Sequence, residues 1–351
     1  MNLYNISKPF LFLLSPENAH GLAIKALKYG LLPARKIPAS ELLSQTLWGL
    51  QFPNPVGLAA GFDKNAEVFN AMLGQGFGFV ETGTVTPLPQ SGNDKPRIFR
   101  LTEDRAIINR LGFNNQGLEH YVERLEHRDK NTGIVGANIG ANKLSENQID
   151  DYVAGLKRVI GLADYFTINI SSPNTPGLRA LQGREALDDL LTQLKKVRDE
   201  ADFNHRAPLI LKIAPDLSNS ECEDIAQIIM KHDMDGLIVS NTTLSREGLR
   251  SSFKNENGGM SGEPLFELST SILSKMYKLT EGRIPLIGVG GINSGARAYA
   301  KIKAGASLVQ LYSALVYHGP GLAHTINREL EKLIKEDGFS NISEAIGIDH
   351  Q

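Results

Sequence analysis

A chain of 351 residues, 41% hydrophobic and 22% charged, is long enough for one large α/β domain with an appendage, and its composition excludes a disordered or collagen-like protein. A formal net charge of −2, with no basic run interleaved with aromatics, gives no pull toward nucleic acid and points to small-molecule chemistry. The single cysteine, Cys222, rules out an intrachain disulfide and a Cys-cluster metal site, and none of the eight histidines has a ligand spacing that suggests zinc, so no metal is expected.

At the N-terminus, "KPFLFLLSP" is too short to span a bilayer and is followed by no small-residue cleavage pattern, so it reads as neither a transmembrane helix nor a signal peptide. "SPENAHGLAIKALKYGLL" opens with a serine N-cap and a proline at the first helical position, then continues as an amphipathic helix. Residues 1–40 are therefore expected to form a helical extension, and residues 41–351 a separate catalytic domain. The apolar "FLFLL" beside the helix is either docked on its own domain, the reading the pattern favours, or a membrane-surface patch.

From residue 54 onward one pattern repeats: a short apolar run ends in Gly, Ser, Thr or Asn, and a longer amphipathic segment follows. The runs are "NPVGLAA" (54–60), "FVETGTV" (79–85), "IVGANIG" (134–140), "YFTINIS" (165–171), "LILKIA" (209–214), "GLIVSNT" (236–242), "PLIGVGG" (285–291) and "LVQLYSA" (308–314). Eight parallel strands alternating with helices close a (β/α)8 TIM barrel, an α/β fold whose functional groups sit at the C-terminal ends of the strands.

Those ends are rich in chemistry. Lys64 follows the first strand and Lys212 lies within the apolar fifth, where a buried ammonium calls for an anion or a reaction, and a Schiff base stays open. Asn109, Asn138, Asn169, Asn174 and Asn241 fall at or near strand ends, and amides that both donate and accept suit a planar heterocycle. Ser172, in "SSPNTPGLR" after the fourth strand, has no Gly-x-Ser-x-Gly elbow and no evident histidine partner, which disfavours a hydrolase triad. A positioned hydroxyl could relay a proton if its loop shuts out water, and 172–183 is the candidate lid. The length and polarity of 244–262 suggest a mobile loop over the mouth. Finally, "PLIGVGGINSGARAYAKIKAGASLVQLYSA" (285–314) has the glycine-rich turn, helix and strand of a phosphate-binding corner.

Taken together, "GLAAGFDKN", "ETGTVTPLPQSGNDKPRIFRL", "INRLGFNN", "INISSPNTPGLR", "LKIAPDL", "SNTT", "GGMSGEPL" and "IGVGGI", in this order and spacing, resemble the dihydroorotate dehydrogenases, from the N-terminal helix to about residue 320. Ser172 and the helical extension resemble the membrane-associated, quinone-linked class rather than the cytosolic members, which carry cysteine. The resemblance implies oxidation of (S)-dihydroorotate to orotate in pyrimidine (UMP) biosynthesis, with FMN as hydride acceptor and a membrane quinone as final acceptor. It implies Ser172 as catalytic base. It implies a flavin site of Ala60, Gly61, Phe62, Asp63, Lys64, Thr84, Asn138, Asn169, Lys212 and Ser240, with Gly262, Gly291, Tyr312 and Ser313 at the ribityl phosphate end. Substrate is expected on Lys64, Asn109, Arg110, Leu111, Gly112, Phe113, Asn169, Asn174, Asn241 and Thr242, and the quinone head near His20, Arg100 and Tyr312. Ser240 stands where threonine is expected and Leu111 where methionine is common; both are conservative departures. A monomer, peripheral on the cytoplasmic face of the inner membrane, is the expected state. Another FMN barrel oxidoreductase, or a Schiff-base lyase on the same barrel, is the rival reading.

Overall fold

The computed structural model describes residues 3–34, 40–201 and 207–351. Eight strands form a closed parallel barrel in sequence order: β1 (Val56–Leu58), β2 (Phe79–Val85), β3 (Ile134–Ile139), β4 (Tyr165–Asn169), β5 (Leu209–Ile213), β6 (Gly236–Val239), β7 (Leu286–Val289) and β8 (Ala306–Leu311), with β8 pairing back onto β1. Seven of the eight predicted runs contain one of them, and the last, 308–314, overlaps β8, which begins two residues earlier. Nearly all their residues are buried, as expected when side chains face either the barrel interior or the surrounding helices.

The N-terminal segment forms α1 (Leu3–Leu13) and α2 (Pro16–Lys28). Helix α2 starts where the sequence places it, with Ser15 accepting from the Asn18 amide and Lys25 and Lys28 in the last turn. Helix α1 runs through Pro9, so the apolar stretch is itself helical. The expected boundary at residue 40 adjoins 35–39, which lie outside the described residues.

Around the barrel follow α3 (Phe69–Leu73), α4 (Leu118–Glu126), α5 (Gln148–Val159), α6 (Arg184–Glu200), α7 (Asn219–Lys231), α8 (Phe266–Leu279), α9 (Gly295–Lys303), α10 (Ala314–His318) and α11 (Leu322–Glu336). Their starts obey local rules. Ser218 and Glu221 form a reciprocal capping box on α7, and Asn147 and Ser294 cap α5 and α9.

Two additions to the repeat went unpredicted because their strands are short and antiparallel. A hairpin, Gln45–Leu47 against Leu50–Phe52, closes the N-terminal end of the barrel, where Phe52 packs with Phe79, Ile134, Tyr165, Ile210, Ile238, Ile287 and Leu308. At the opposite end Ile98–Leu101, Ala106–Asn109 and Gly259–Gly262 form a three-stranded antiparallel sheet. The last of these strands corrects the reading of 244–262 as one long loop. Its polar groups tie the segment down: Arg246 donates to the carbonyls of Glu256 (3.0 Å) and Gly258 (2.6 Å), and Thr243 and Met260 exchange backbone bonds.

Candidate active site

A carboxylate sits at the centre of the barrel. Glu81 on β2 is fully buried, which is costly unless its oxygens are satisfied. It accepts hydrogen bonds from Asn138 Nδ2 (2.7 Å), Gln310 Nε2 (2.9 Å), Thr167 Oγ1 (3.0 Å) and the Tyr165 hydroxyl (3.2 Å), and Lys212 Nζ lies 3.8 Å away. Tyr165, Thr167 and Asn169 alternate along β4, so the period of two sends all three inward. Burial lowers the Lys212 pKa and the Glu81 charge opposes that shift.

One layer further toward the mouth, Thr84 donates to Asn138 Oδ1 (2.6 Å) and Asn169 Nδ2 donates to Thr84 Oγ1 (2.9 Å). Ser171 donates to Asn169 Oδ1 (3.0 Å) and Asn241 Nδ2 to Ser171 Oγ (2.9 Å). These bonds fix the amides in rotamer and direction.

Above this network opens a cavity of about 790 Å³. At the barrel end it is lined by Ala60, Gly61, Phe62, Lys64, Thr84, Asn169, Lys212, Ser240, Asn241 and Thr242, with Asn109, Leu111, Gly112, Phe113, Ser172 and Asn174 over them. Lys64 Nζ donates to the Gly61 carbonyl (2.8 Å), and burial pulls its pKa down to about 8, the nearby Arg97 charge adding to the shift. The Ser172 hydroxyl is nearly inaccessible to solvent and accepts from the Asn174 amide (3.2 Å), while Asn174 Nδ2 reaches the Asn109 carbonyl (3.2 Å). No histidine or carboxylate hydrogen-bonds Ser172 among the described residues, as the sequence suggested. The 3-10 turn Leu178–Gln182 following it is anchored by Arg179, which donates to the carbonyls of Ser171 (3.2 Å) and Thr242 (3.0 Å) and pairs with Asp216 (3.0 Å).

At one side of the cavity lie Gly262, Gly290, Gly291, Tyr312 and Ser313. Gly290 (φ 110°) and Gly291 (φ 73°) have backbone conformations that side chains disfavour, and a Cβ on Gly291 would stand 2.5 Å from that of Phe266. A backbone this bare suits close approach by a phosphate. Gln310 Oε1 is buried in the cavity wall without a hydrogen-bond partner among the described residues, an acceptor open to a bound heterocycle.

The cavity then continues between α1 and α2, along Leu11, Phe12, Pro16, His20 and Ala23. His20 packs edge-on against Phe62 (5.2 Å between ring centroids), and Phe62 against Tyr312 (5.7 Å). Burial, reinforced by the Lys64 charge, pulls the His20 pKa down to about 3, so its ring is neutral. Arg100 stacks over Phe12 at 4.6 Å and donates to the Leu11 and Leu14 carbonyls. The docked reading of the apolar N-terminal run therefore holds for Leu11, which lines the cavity, and Phe12, which meets Tyr317, but not for Phe10, 69% exposed, or Leu13, 84% exposed.

Three expected site residues do not line the cavity. The Asp63 carboxylate turns away to accept from the Glu67 (2.7 Å) and Val68 (2.8 Å) amides, with burial raising its pKa to about 6. Asn138 lies one layer below, between Thr84 and Glu81. The Arg110 guanidinium points outward to Glu256 (2.7 Å) and stacks on Phe99. Conversely Glu81, Gln310, Thr167 and Ser171 were missed. The signal for Glu81 and Gln310 was present, since each is polar within an apolar run, as Lys212 is.

A family model described as dihydroorotate dehydrogenase matches residues 42–334. Curated relatives named dihydroorotate dehydrogenase (quinone) include those of Azorhizobium caulinodans, 53% identical, and Parvibaculum lavamentivorans, 54% identical, each aligned over 99% of both chains. Crystal structures of DHODH from Eimeria tenella, ligand-free and in complex with ferulenol, superpose with a TM-score of 0.92 at 44% identity; both cover 96% of this chain, which spans 99% and 96% of theirs.

Proposed function

The chain belongs to the dihydroorotate dehydrogenase family, and from that premise we propose how its residues divide the work of oxidising dihydroorotate to orotate and passing the electrons to quinone. The observation that carries the reading is a single cavity that runs from an asparagine-lined barrel mouth to an apolar channel between two N-terminal helices. One end suits a polar heterocycle and the other a lipid-soluble acceptor.

The flavin is FMN. Its fit rests on the bare Gly290–Gly291 turn for the phosphate and on Lys212, Asn169 and the unpartnered Gln310 oxygen for the polar ring edge. Bound there, it supplies the hydride acceptor that quinone reoxidises. The protein does the rest. The Lys64 ammonium meets the substrate carboxylate, and Asn109, Asn169, Asn174 and Asn241 hold the ring amide groups, orienting C5 toward Ser172. Ser172 Oγ receives the C5 proton and hands its own hydroxyl proton to a relaying water as the C6 hydride departs. A serine hydroxyl is a weak base, so this step needs the water exclusion that the 172–183 segment provides and the hydrogen-bonded frame of Asn174 and Asn109. Asn138 and Glu81 act from the layer below by fixing Asn169 and Lys212.

In the second half-reaction His20, Phe62, Tyr312 and Arg100 line the quinone route. The exposed apolar side chains of α1, with Leu22 and Leu31, give the extension a membrane-facing surface; among the described residues no helix is long and apolar enough to cross a membrane. Residues 1–40 thus serve as a peripheral attachment on the cytoplasmic face, residues 41–351 as the catalytic domain, and the protein works as a monomer.

Anaerobic addition of dihydroorotate to the purified protein, followed by quinone or fumarate, tests this directly. Bleaching of a flavin band that quinone restores and fumarate does not is the expected result. A colourless protein, or a yellow one that fails to bleach, overturns it.

A further inference from the structure

Behind the Gly290–Gly291 turn, two cations share one aromatic ring. Arg297 holds its guanidinium 4.8 Å from the Phe266 centroid and donates to the Gly291 carbonyl (2.9 Å). Lys301, fully buried, holds its ammonium 5.2 Å from the same centroid and donates to Ser269 Oγ (2.8 Å) and Thr270 Oγ1 (3.0 Å). Ser269 Oγ in turn lies within hydrogen-bond distance of the carbonyls of Phe266 (3.1 Å) and Gly290 (3.3 Å), which compete for its one proton. Among the described residues neither cation forms an ion pair.

This arrangement is unfavourable as it stands. A buried ammonium bonded only to hydroxyls recovers part of its lost hydration, a second cation on the same ring adds repulsion, and the first turn of α8, which carries Phe266, contributes the positive end of its dipole. All three sources of positive potential lie against one glycine turn, and an anion on the cavity side of that turn would balance them.

We propose that Arg297 and Lys301 are positioning residues for the flavin phosphate, holding it through the glycine turn rather than by contact, so that preference for the phosphorylated flavin follows the charge on Lys301. This rests on the FMN reading above. Both cations reach the turn: Arg297 bonds the Gly291 carbonyl directly, and Lys301 bonds Ser269, whose hydroxyl lies against the carbonyls of Gly290 and of Phe266. Burial pulls the Lys301 pKa down to about 7, with Glu267 on α8 opposing the shift and Arg297 adding to it; β7 and β8 beneath carry no charged side chain. A neighbouring phosphate favours the ammonium, so Lys301 titrates higher when FMN is bound. FMN affinity is then full below about pH 7 and falls as pH rises, until the value of the bound form is passed. The phosphate's second ionisation, near pH 6, lies below this window.

The test is displacement of FMN from the holoenzyme by riboflavin, which lacks the phosphate, followed between about pH 7 and pH 9.5. The ratio of the two affinities cancels any titrating group around the ring. In the wild type the ratio is expected to fall about tenfold for each unit by which FMN raises the Lys301 pKa. In Lys301→Met it should be about tenfold lower at pH 7 and flat. Arg297→Met, at a half-buried position, should lower the ratio at every pH and keep the slope. A flat wild-type ratio, or one that Arg297→Met leaves unchanged, overturns the proposal even if Lys301→Met fails to fold. A protein that retains neither flavin overturns instead the flavin reading on which it rests.

Discussion

Two residues at the mouth carry opposite demands. In the proposed mechanism Ser172 must accept a proton although its hydroxyl is ordinarily a poor base, and its environment offers one amide N–H and 5% exposure to solvent. Ser172→Ala is expected to slow flavin reduction by dihydroorotate about 10²- to 10⁴-fold while leaving the flavin spectrum intact, as rapid-mixing absorbance would read. In the same mechanism Lys64 must remain charged although it is buried, so a pKa of about 8 would set a limit on substrate binding. The ammonium is the form that meets a carboxylate, and bound substrate raises its pKa. KM for dihydroorotate should therefore be steady below about pH 8 and rise about tenfold per pH unit above it, until the substrate-bound value is reached. In Lys64→Met KM should be high and free of this dependence. Lys64 stands out in the sequence as a lysine at a strand end, whereas Ser172 is one turn former among several and is marked by the family resemblance. Glu81 and Gln310 break the pattern equally, yet their meaning depends on four partner strands that only closure of the barrel brings within hydrogen-bond distance.

At the scale of elements, α2 is joined to the barrel mouth by a buried ion pair, beside the more exposed Lys28–Glu67 and Lys95–Glu17 pairs. Arg97, nearly fully buried, meets Glu17 of α2 through both carboxylate oxygens (2.6 and 3.2 Å) and donates also to the Ser91 and Asn93 carbonyls. Glu17→Gln should cost about 1.5–3 kcal/mol of folding stability by urea titration, the usual range for a charge-assisted hydrogen bond. Because α2 carries His20, the same change should raise KM for quinone more than KM for dihydroorotate; equal effects on both would sink the assignment of α2 to the quinone route. The helix itself was readable from Ser15, Pro16 and its amphipathic period, all local features. Its docking was not readable, since Arg97 lies 80 positions away in an inserted segment.

Across the whole molecule, stability and chemistry occupy opposite ends of the barrel. The hairpin around Phe52 seals the N-terminal end with aromatic contacts to Phe79 (5.4 Å) and Trp48 (6.0 Å), and Trp48 donates to the Asp235 carbonyl. Phe52→Ala is expected to cost about 3–5 kcal/mol, read by urea denaturation, with kcat per bound flavin unchanged. A fall in kcat matching the loss of stability would show that the two ends are coupled.

The sequence by itself determined the barrel, its eight strands, the amphipathic helix α2 and most residues of the mouth. Short apolar runs, helical periodicity and strand-end amides are all written within a few neighbouring positions. Tertiary structure decided what no local pattern encodes. It placed the antiparallel sheet over the mouth from two segments 150 residues apart, turned Asp63 and Arg110 away from the cavity, set Glu81 beneath Lys212, and left half of the apolar N-terminal run exposed beside the channel. Each of these depends on which distant groups come within reach when the ring of strands closes, and on whether a buried charge finds its partners there.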